Sequence, residues 1–153
     1  YEEPRAIATL VLGGVLERHP SLDVCMSHGG GATSWLLERL EHGARTRSWG
    51  PGPLAGPGVV TDQVRRIWWD AHGGGPRALA ALVATMGSER IVAGTNLAGW
   101  DQSLDPSHGD AGLAATFDAN ARRLLRLDPQ LTSAATTATN TATNTSVSTQ
   151  EDG

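Results

Sequence analysis

The sequence predicts a parallel α/β fold, and three observations lead there. Short apolar runs alternate with segments of helical periodicity in the order helix, strand, helix, strand, helix, strand, helix, the order that right-handed crossover units produce. Two of the runs end on the same four letters, His28-Gly29-Gly30-Gly31 and His72-Gly73-Gly74-Gly75, which collects polar groups at one edge of the sheet. The first run is apolar on both faces, as strands covered by helices on either side are.

Taken in order, the chain opens on a helix. Pro4 suits a first turn, and Ile7, Leu10, Val11 and Val15 recur at helical spacing until His19-Pro20 stops them. Residues 22–27 read as a buried strand holding the single Cys25, whose apolar surroundings predict a buried thiol. Ser34 then caps a helix carrying Trp35, Leu36, Arg39 and Leu40 and closed by Gly43. Residues 48–61 are punctuated by Gly and Pro and read as neither helix nor strand.

The second strand is expected over residues 64–71. Pro76 opens the next helix, with a stripe of Leu79, Leu82, Val83 and Met86 ended by Gly87. Residues 90–95 form the third strand, and Asn96 follows it. Asp110 caps a last helix whose Leu113, Phe117, Leu124 and Leu125 share a face, closed by Asp128-Pro129. Residues 132–153 are Thr, Ala, Asn and Ser with little to bury, so the division expected is a folded part, 1–131, and a disordered tail, 132–153. Asn144-Thr145-Ser146 in that tail matches a glycosylation acceptor, but no secretory signal accompanies it.

Composition removes several function classes. The 153 residues carry 12 basic and 16 acidic side chains, a net charge of -4, evenly mixed, which gives no nucleic-acid footprint. All the basic residues are arginine, so Schiff-base chemistry, a carbamylated-lysine metal bridge and a P-loop are excluded. No apolar run is long enough to span a membrane, and the lone cysteine fits a reducing, cytoplasmic setting.

Function belongs at the carboxyl ends of the strands in such folds, where His28, His72 and Asn96 all fall. The run Gly14-Val15-Leu16-Glu17-Arg18-His19-Pro20, the stretch 22–31, Trp69-Asp70-Ala71, Gly87-Ser88-Glu89-Arg90-Ile91-Val92, Gly94-Thr95 and Asn120-Ala121-Arg122-Arg123-Leu124 appear in order at suitable spacings. Together they resemble the amidohydrolase-related family, in the group of aminocarboxymuconate-semialdehyde decarboxylases. The resemblance implies a partial TIM-type (β/α)8 barrel comprising about the last three strand-helix units. It implies decarboxylation or hydrolysis of a small carboxylated substrate, a divalent metal, usually zinc, and a homodimer.

In that family the metal is held by an early His-x-His pair, a mid-chain histidine and an aspartate after the last strand. The histidine before the glycines acts as general acid/base beside the metal-bound water. Carried over, His28 takes the acid/base role and the metal aspartate position falls on Asn96. The sequence contains no His-x-His, so the chain is expected to be incomplete as an enzyme by itself. Asp101, five residues on, is a candidate to compensate for Asn96, and equally the start of a helical turn.

Arg39 stands where the decarboxylase has an arginine reaching the substrate carboxylate of a neighbouring subunit, a task suited to a guanidinium; an ordinary exposed helix arginine is the bland alternative. Gly29 and Gly30 would let a substrate approach the backbone, or simply make room for a turn. His72 inherits no role and reads as structural, and Asp70 as orienting a loop or capping a helix, with a supporting contact to the site as the alternative. Trp35, Trp49, Trp68, Trp69 and Trp100 read as core or lid residues, Trp100 doubling as a substrate contact. Against the enzyme stands a second class, a non-catalytic binding domain or inert fragment, whose support is Asn96 and the missing ligands.

Overall fold

A computed structural model describes residues 2–48 and 52–127. Helices α1 (Glu2–Leu12) and α2 (Val15–Arg18) lead to strand β1 (Cys25–Met26). A short 3-10 turn over His28–Gly30 connects β1 to α3 (Thr33–Thr46). Helix α4 (Val59–Arg65), β2 (Trp68–Asp70), α5 (Pro76–Met86), β3 (Ile91–Val92) and α6 (Ala111–Leu124) follow. The strands form one parallel sheet in the order β1-β2-β3. Cys25 pairs with Trp68 and Met26 with Trp69, then Trp69 with Ile91 and Asp70 with Val92. Two compact units divide at 121/122; of the second, residues 122–127 are described, the end of α6 and the turn after it.

The core is built from one stripe of each helix against β2 and β3. Ile7 and Val11 of α1, Leu37 of α3, Val60 and Val64 of α4, Leu79 and Leu82 of α5 and Phe117 of α6 are buried with Trp69 and Ile91. Emptying the Trp69 position with alanine would cost about 3–5 kcal/mol, from lost burial and the cavity left behind. Polar ties fix the helices that flank it. Glu41 of α3 accepts from the Gly58 backbone N–H at 2.6 Å and from the Thr61 hydroxyl, pinning the start of α4. Buried Asn120 donates to the carbonyls of Ser88 and Ile91, both at 2.7 Å, locking α6 onto the entry to β3.

Several local signals act as expected. Pro76 stands at the first turn of α5, Gly87 ends that helix at φ 80°, and the Asp110 carboxylate accepts from the Leu113 N–H at 3.0 Å. Other expectations are corrected. The first helix breaks at Gly13-Gly14, where Gly14 takes φ 65°, before α2 completes it. The third helix is capped by Ala32, not Ser34, and runs through Gly43 to Thr46, because one helical glycine costs only about 1 kcal/mol. The Gly/Pro segment holds a 3-10 turn, Gly52–Leu54, and all but the last turn of α4, which also claims Val64 from the expected strand. Cys25 is exposed, contrary to expectation, because β1 is an edge of the sheet. The expected 132–153 tail, Asp128-Pro129, Asn144 and Trp49 lie outside the described residues.

Candidate functional site

The site is assembled at the C-terminal edge of the sheet by the loops after β1, β2 and β3. After β1 the chain reverses through four consecutive residues at positive φ: His28 51°, Gly29 58°, Gly30 71° and Gly31 59°. Left-handed backbone is open to glycine and costs other residues about 1–2 kcal/mol, so one strained residue, the histidine, is carried by three that are not. Gly30 has a second reason for lacking a side chain, since a Cβ there would overlap the Trp69 ring.

Asp70, at the end of β2, joins this loop to the next one. Its Oδ1 accepts from the Gly29 N–H at 3.3 Å and from the His72 N–H at 3.1 Å. The loops also touch directly, as a Cβ on Gly73 would stand 3.2 Å from the His28 Cβ. Consequently the two histidine rings lie 5.5 Å apart, tilted by 53°.

The two rings differ in surroundings. His28 is half exposed, and its Nδ1 lies 3.4 Å from Oε1 of Glu3. His72 is buried, its Nε2 lies 3.1 Å from Asp101 Oδ2, and its buried Nδ1 has no hydrogen-bond partner. The other Asp101 oxygen accepts from the Asn96 amide. These bonds, that to His72 first and that to Asn96 second, hold the Asp101 carboxyl below the usual carboxylate range. Glu3 is also held low, chiefly by its own backbone N–H, with His28 adding to the effect. Donor atoms of His28, His72 and Asp101 all lie within 4.8 Å of one another.

A cavity of about 540 Å³ opens onto His28, Gly29, His72, Glu3 and Trp35. A second, about 330 Å³, shares His72 with the first and is lined also by Asp101, Trp100 and His108. Trp100 is 96% exposed and Trp35 88%, so neither is a core residue. Arg39 is not brought to either cavity; it lines a third, about 580 Å³, between α1 and α3 with Arg5 and Arg47. Sequence reasoning missed Glu3 altogether, and no local pattern marked it. It named Asp101 and His72 separately, 29 residues apart, with nothing to pair them.

The family model described as amidohydrolase matches residues 3–127. The chain belongs to the amidohydrolase family. Among its relatives are the 2-amino-3-carboxymuconate-6-semialdehyde decarboxylases of Dictyostelium discoideum, 34% identical over 93 residues, and Caenorhabditis elegans, 35% identical over 97. Those alignments cover 60% and 62% of this amidohydrolase chain but 25% and 23% of the relatives. The chain thus spans about a quarter of the length of the curated relatives it matches. The crystal structure of Metarhizium anisopliae IDCase in apo form superposes with a TM-score of 0.62 at 24% identity, over 82% of this chain and 39% of that one. The α/β fold expected from the resemblance, part of a (β/α)8 barrel, is therefore the fold of this amidohydrolase. No helix among its described residues is long and apolar enough to cross a membrane.

Proposed function

We propose that this amidohydrolase chain forms part of an enzyme that decarboxylates or hydrolyses a small carboxylated substrate, with 2-amino-3-carboxymuconate 6-semialdehyde the first substrate to test. The observation behind the reading is the placement of His28, on a strained turn at a strand end, half exposed to a cavity of about 540 Å³. An imidazole suits proton transfer near neutral pH. In decarboxylation the bond from carbon to its carboxylate breaks, the electron pair stays on that carbon, and His28 delivers the proton that replaces carbon dioxide. In hydrolysis the same ring takes the proton of the attacking water. Gly29 lines that cavity, but its N–H is committed to Asp70 and that of buried Gly30 to the Ser27 carbonyl, so the turn makes room for a substrate rather than binding it, and Trp100 belongs to the neighbouring cavity.

The zinc expected from the resemblance does not fit the family's aspartate position here. Asn96 supplies a neutral amide whose nitrogen is committed to Asp101, and a neutral amide is a weaker partner for a divalent cation than a carboxylate. The proton chemistry of His28 is accordingly derived without it. The reading includes a cytoplasmic homodimer. The free Cys25 thiol supports the first point; the exposure of Arg39 on α3, open to a partner's substrate carboxylate, supports the second.

The test is release of carbon dioxide from that substrate by the protein purified from its native source. His28→Ala should lower kcat by about 10²–10⁴-fold, the usual worth of a positioned acid or base. Unchanged turnover in that variant removes His28 from the mechanism. Asn96 favours a second reading, a non-catalytic binding domain. Saturable binding of the substrate with no turnover, with or without added zinc, would select it.

A further inference from the structure

We propose that the groove between α1 and α3 binds an elongated dicarboxylate, its apolar chain lying along the floor and a carboxylate held by an arginine at each end. The groove has a volume of about 580 Å³ and shares no lining residue with the cavity of His28. That volume falls in the small-molecule range of roughly 300–1,000 Å³. The site goes beyond the proposed function and does not rest on it.

Helical spacing builds the floor. Leu36, Leu40, Gly43 and Arg47 follow one another by four, three and four residues, which keeps them on one face of α3 and its end, and Ala8 faces them from α1. Ala8 and Gly43 carry almost no side chain, so a trough stays open between the helices, with Leu36 and Leu40 half-buried along it. From Thr33 to Arg47 the α3 side of this trough runs about 21 Å at 1.5 Å per residue. Spread over that length, the volume is narrow. It suits one extended chain better than a compact ring system.

The charged lining has one sign. Arg5, Arg39 and Arg47 all line the groove, and none of the 16 acidic residues does, in a chain of net charge -4. None of these three guanidinium groups has an ion-pair or hydrogen-bond partner among the described residues. Arg5 stands near the start of α1, next to Pro4, whose ring would lie 3.3 Å from a Cβ on Gly31, just ahead of α3. Arg47 caps the far end of α3. Cations therefore bracket the apolar floor. A guanidinium takes a carboxylate through two parallel N–H donors, and the Thr33 hydroxyl is already committed to the Gly30 carbonyl at 2.6 Å, so polar recognition falls to the arginines. Arg39, offered above to a partner's substrate, also lines the groove; the site stands on Arg5 and Arg47, and its test leaves that reading untouched.

The experiment is calorimetric titration of the full 153-residue chain with dodecanedioate. Saturable binding of one molecule per chain is expected, with dodecanoate weaker by about tenfold, the worth of one charged hydrogen-bonding contact. Arg5→Gln and Arg47→Gln should each weaken dodecanedioate by about tenfold and together by about 100-fold, since effects at separated positions add. Both side chains are exposed, so the circular dichroism and urea midpoint of these variants should match the parent. Ala8→Phe fills the trough with every charge retained and should abolish binding. No saturable binding by the parent chain, or equal affinity for dodecanedioate and dodecyltrimethylammonium, overturns the site. A double variant no weaker than either single one means that both arginines hold the same carboxylate, and overturns the two-headed ligand. Association of two chains that Ala8→Phe abolishes, with no dodecanedioate bound, gives the groove to a second copy instead.

Discussion

The two His-Gly-Gly-Gly loops share four letters and almost nothing else. At residues 28–31 every φ is positive, whereas in the second loop only Gly73 is, at 96°, and Gly75 is extended at φ -76°. The difference lies in what surrounds each copy. Pro76 follows the second loop and starts α5 at once, so the chain must arrive extended; Ala32-Thr33 follows the first and permits a tight reversal. His28 leaves an edge strand and is half exposed, while His72 leaves the central strand and is buried. One motif thus produces a group open to a cavity and a group locked in place. Its meaning depends on the strand it ends.

The largest test of that contrast is alanine at matched glycines. Gly30→Ala meets both a positive φ and the Trp69 ring, and should lose about 3 kcal/mol by urea denaturation, combining strain with overpacking. Gly75→Ala meets nothing within 4 Å and a φ that alanine accepts, so it should be neutral or stabilise by about 0.4–1 kcal/mol. Equal losses would mean that the loops are built alike.

Next in size is the residue the loops share. Asp70→Ala removes the acceptor for both the Gly29 and His72 N–H groups and should destabilise by about 2–3 kcal/mol, since hydrogen bonds to charged groups are worth more than neutral ones. Asp70→Asn keeps one carbonyl oxygen and should lose less. If amide exchange rises in only one loop after Asp70→Ala, the carboxylate is not their common anchor.

A smaller effect separates the acidic partners. Asp101 and Glu3 are both held below the usual carboxylate range. Their stabilising contributions are therefore present above the unfolded pKa and vanish as pH falls through the lower folded value. His72 is the leading cause for Asp101, whereas the leading cause for Glu3 is its own backbone. Carbon-detected NMR titration should show Asp101 moving back up toward the ordinary range in His72→Gln, and Glu3 moving less in His28→Ala. The reverse order would undo the distinction between a locked and a loosely held ring.

The parts legible in the sequence are those governed by neighbouring residues. Pro76, Gly87 and Asp110 act on the backbone beside them, so their effects are written locally. Cys25 was misread because an apolar run announces a strand but not whether that strand is central or at an edge. Helix α4 was hidden by the glycines and prolines before it, although Val60 and Val64 already stood one helical turn apart on a buried face. Asn120 was visible as part of a motif, but its bonds to Ser88 and Ile91 reach back 32 and 29 residues. The same holds for the pairing of His72 with Asp101. Family resemblance pointed to His28 and Asn96, while the contacts that give them meaning arise only on folding.

The exposed edge of β1 makes this molecule unusually simple to address chemically. One free thiol and no lysine amine exist in the whole sequence, so a maleimide dye has one side chain to modify, three residues before the turn that carries His28. Partial burial, then the charge of Asp70, pushes the Cys25 thiol up, so labelling should run slower than on a free cysteine at neutral pH and accelerate in mild alkali. A fluorophore at that position would report directly on the order of the sheet's outer strand.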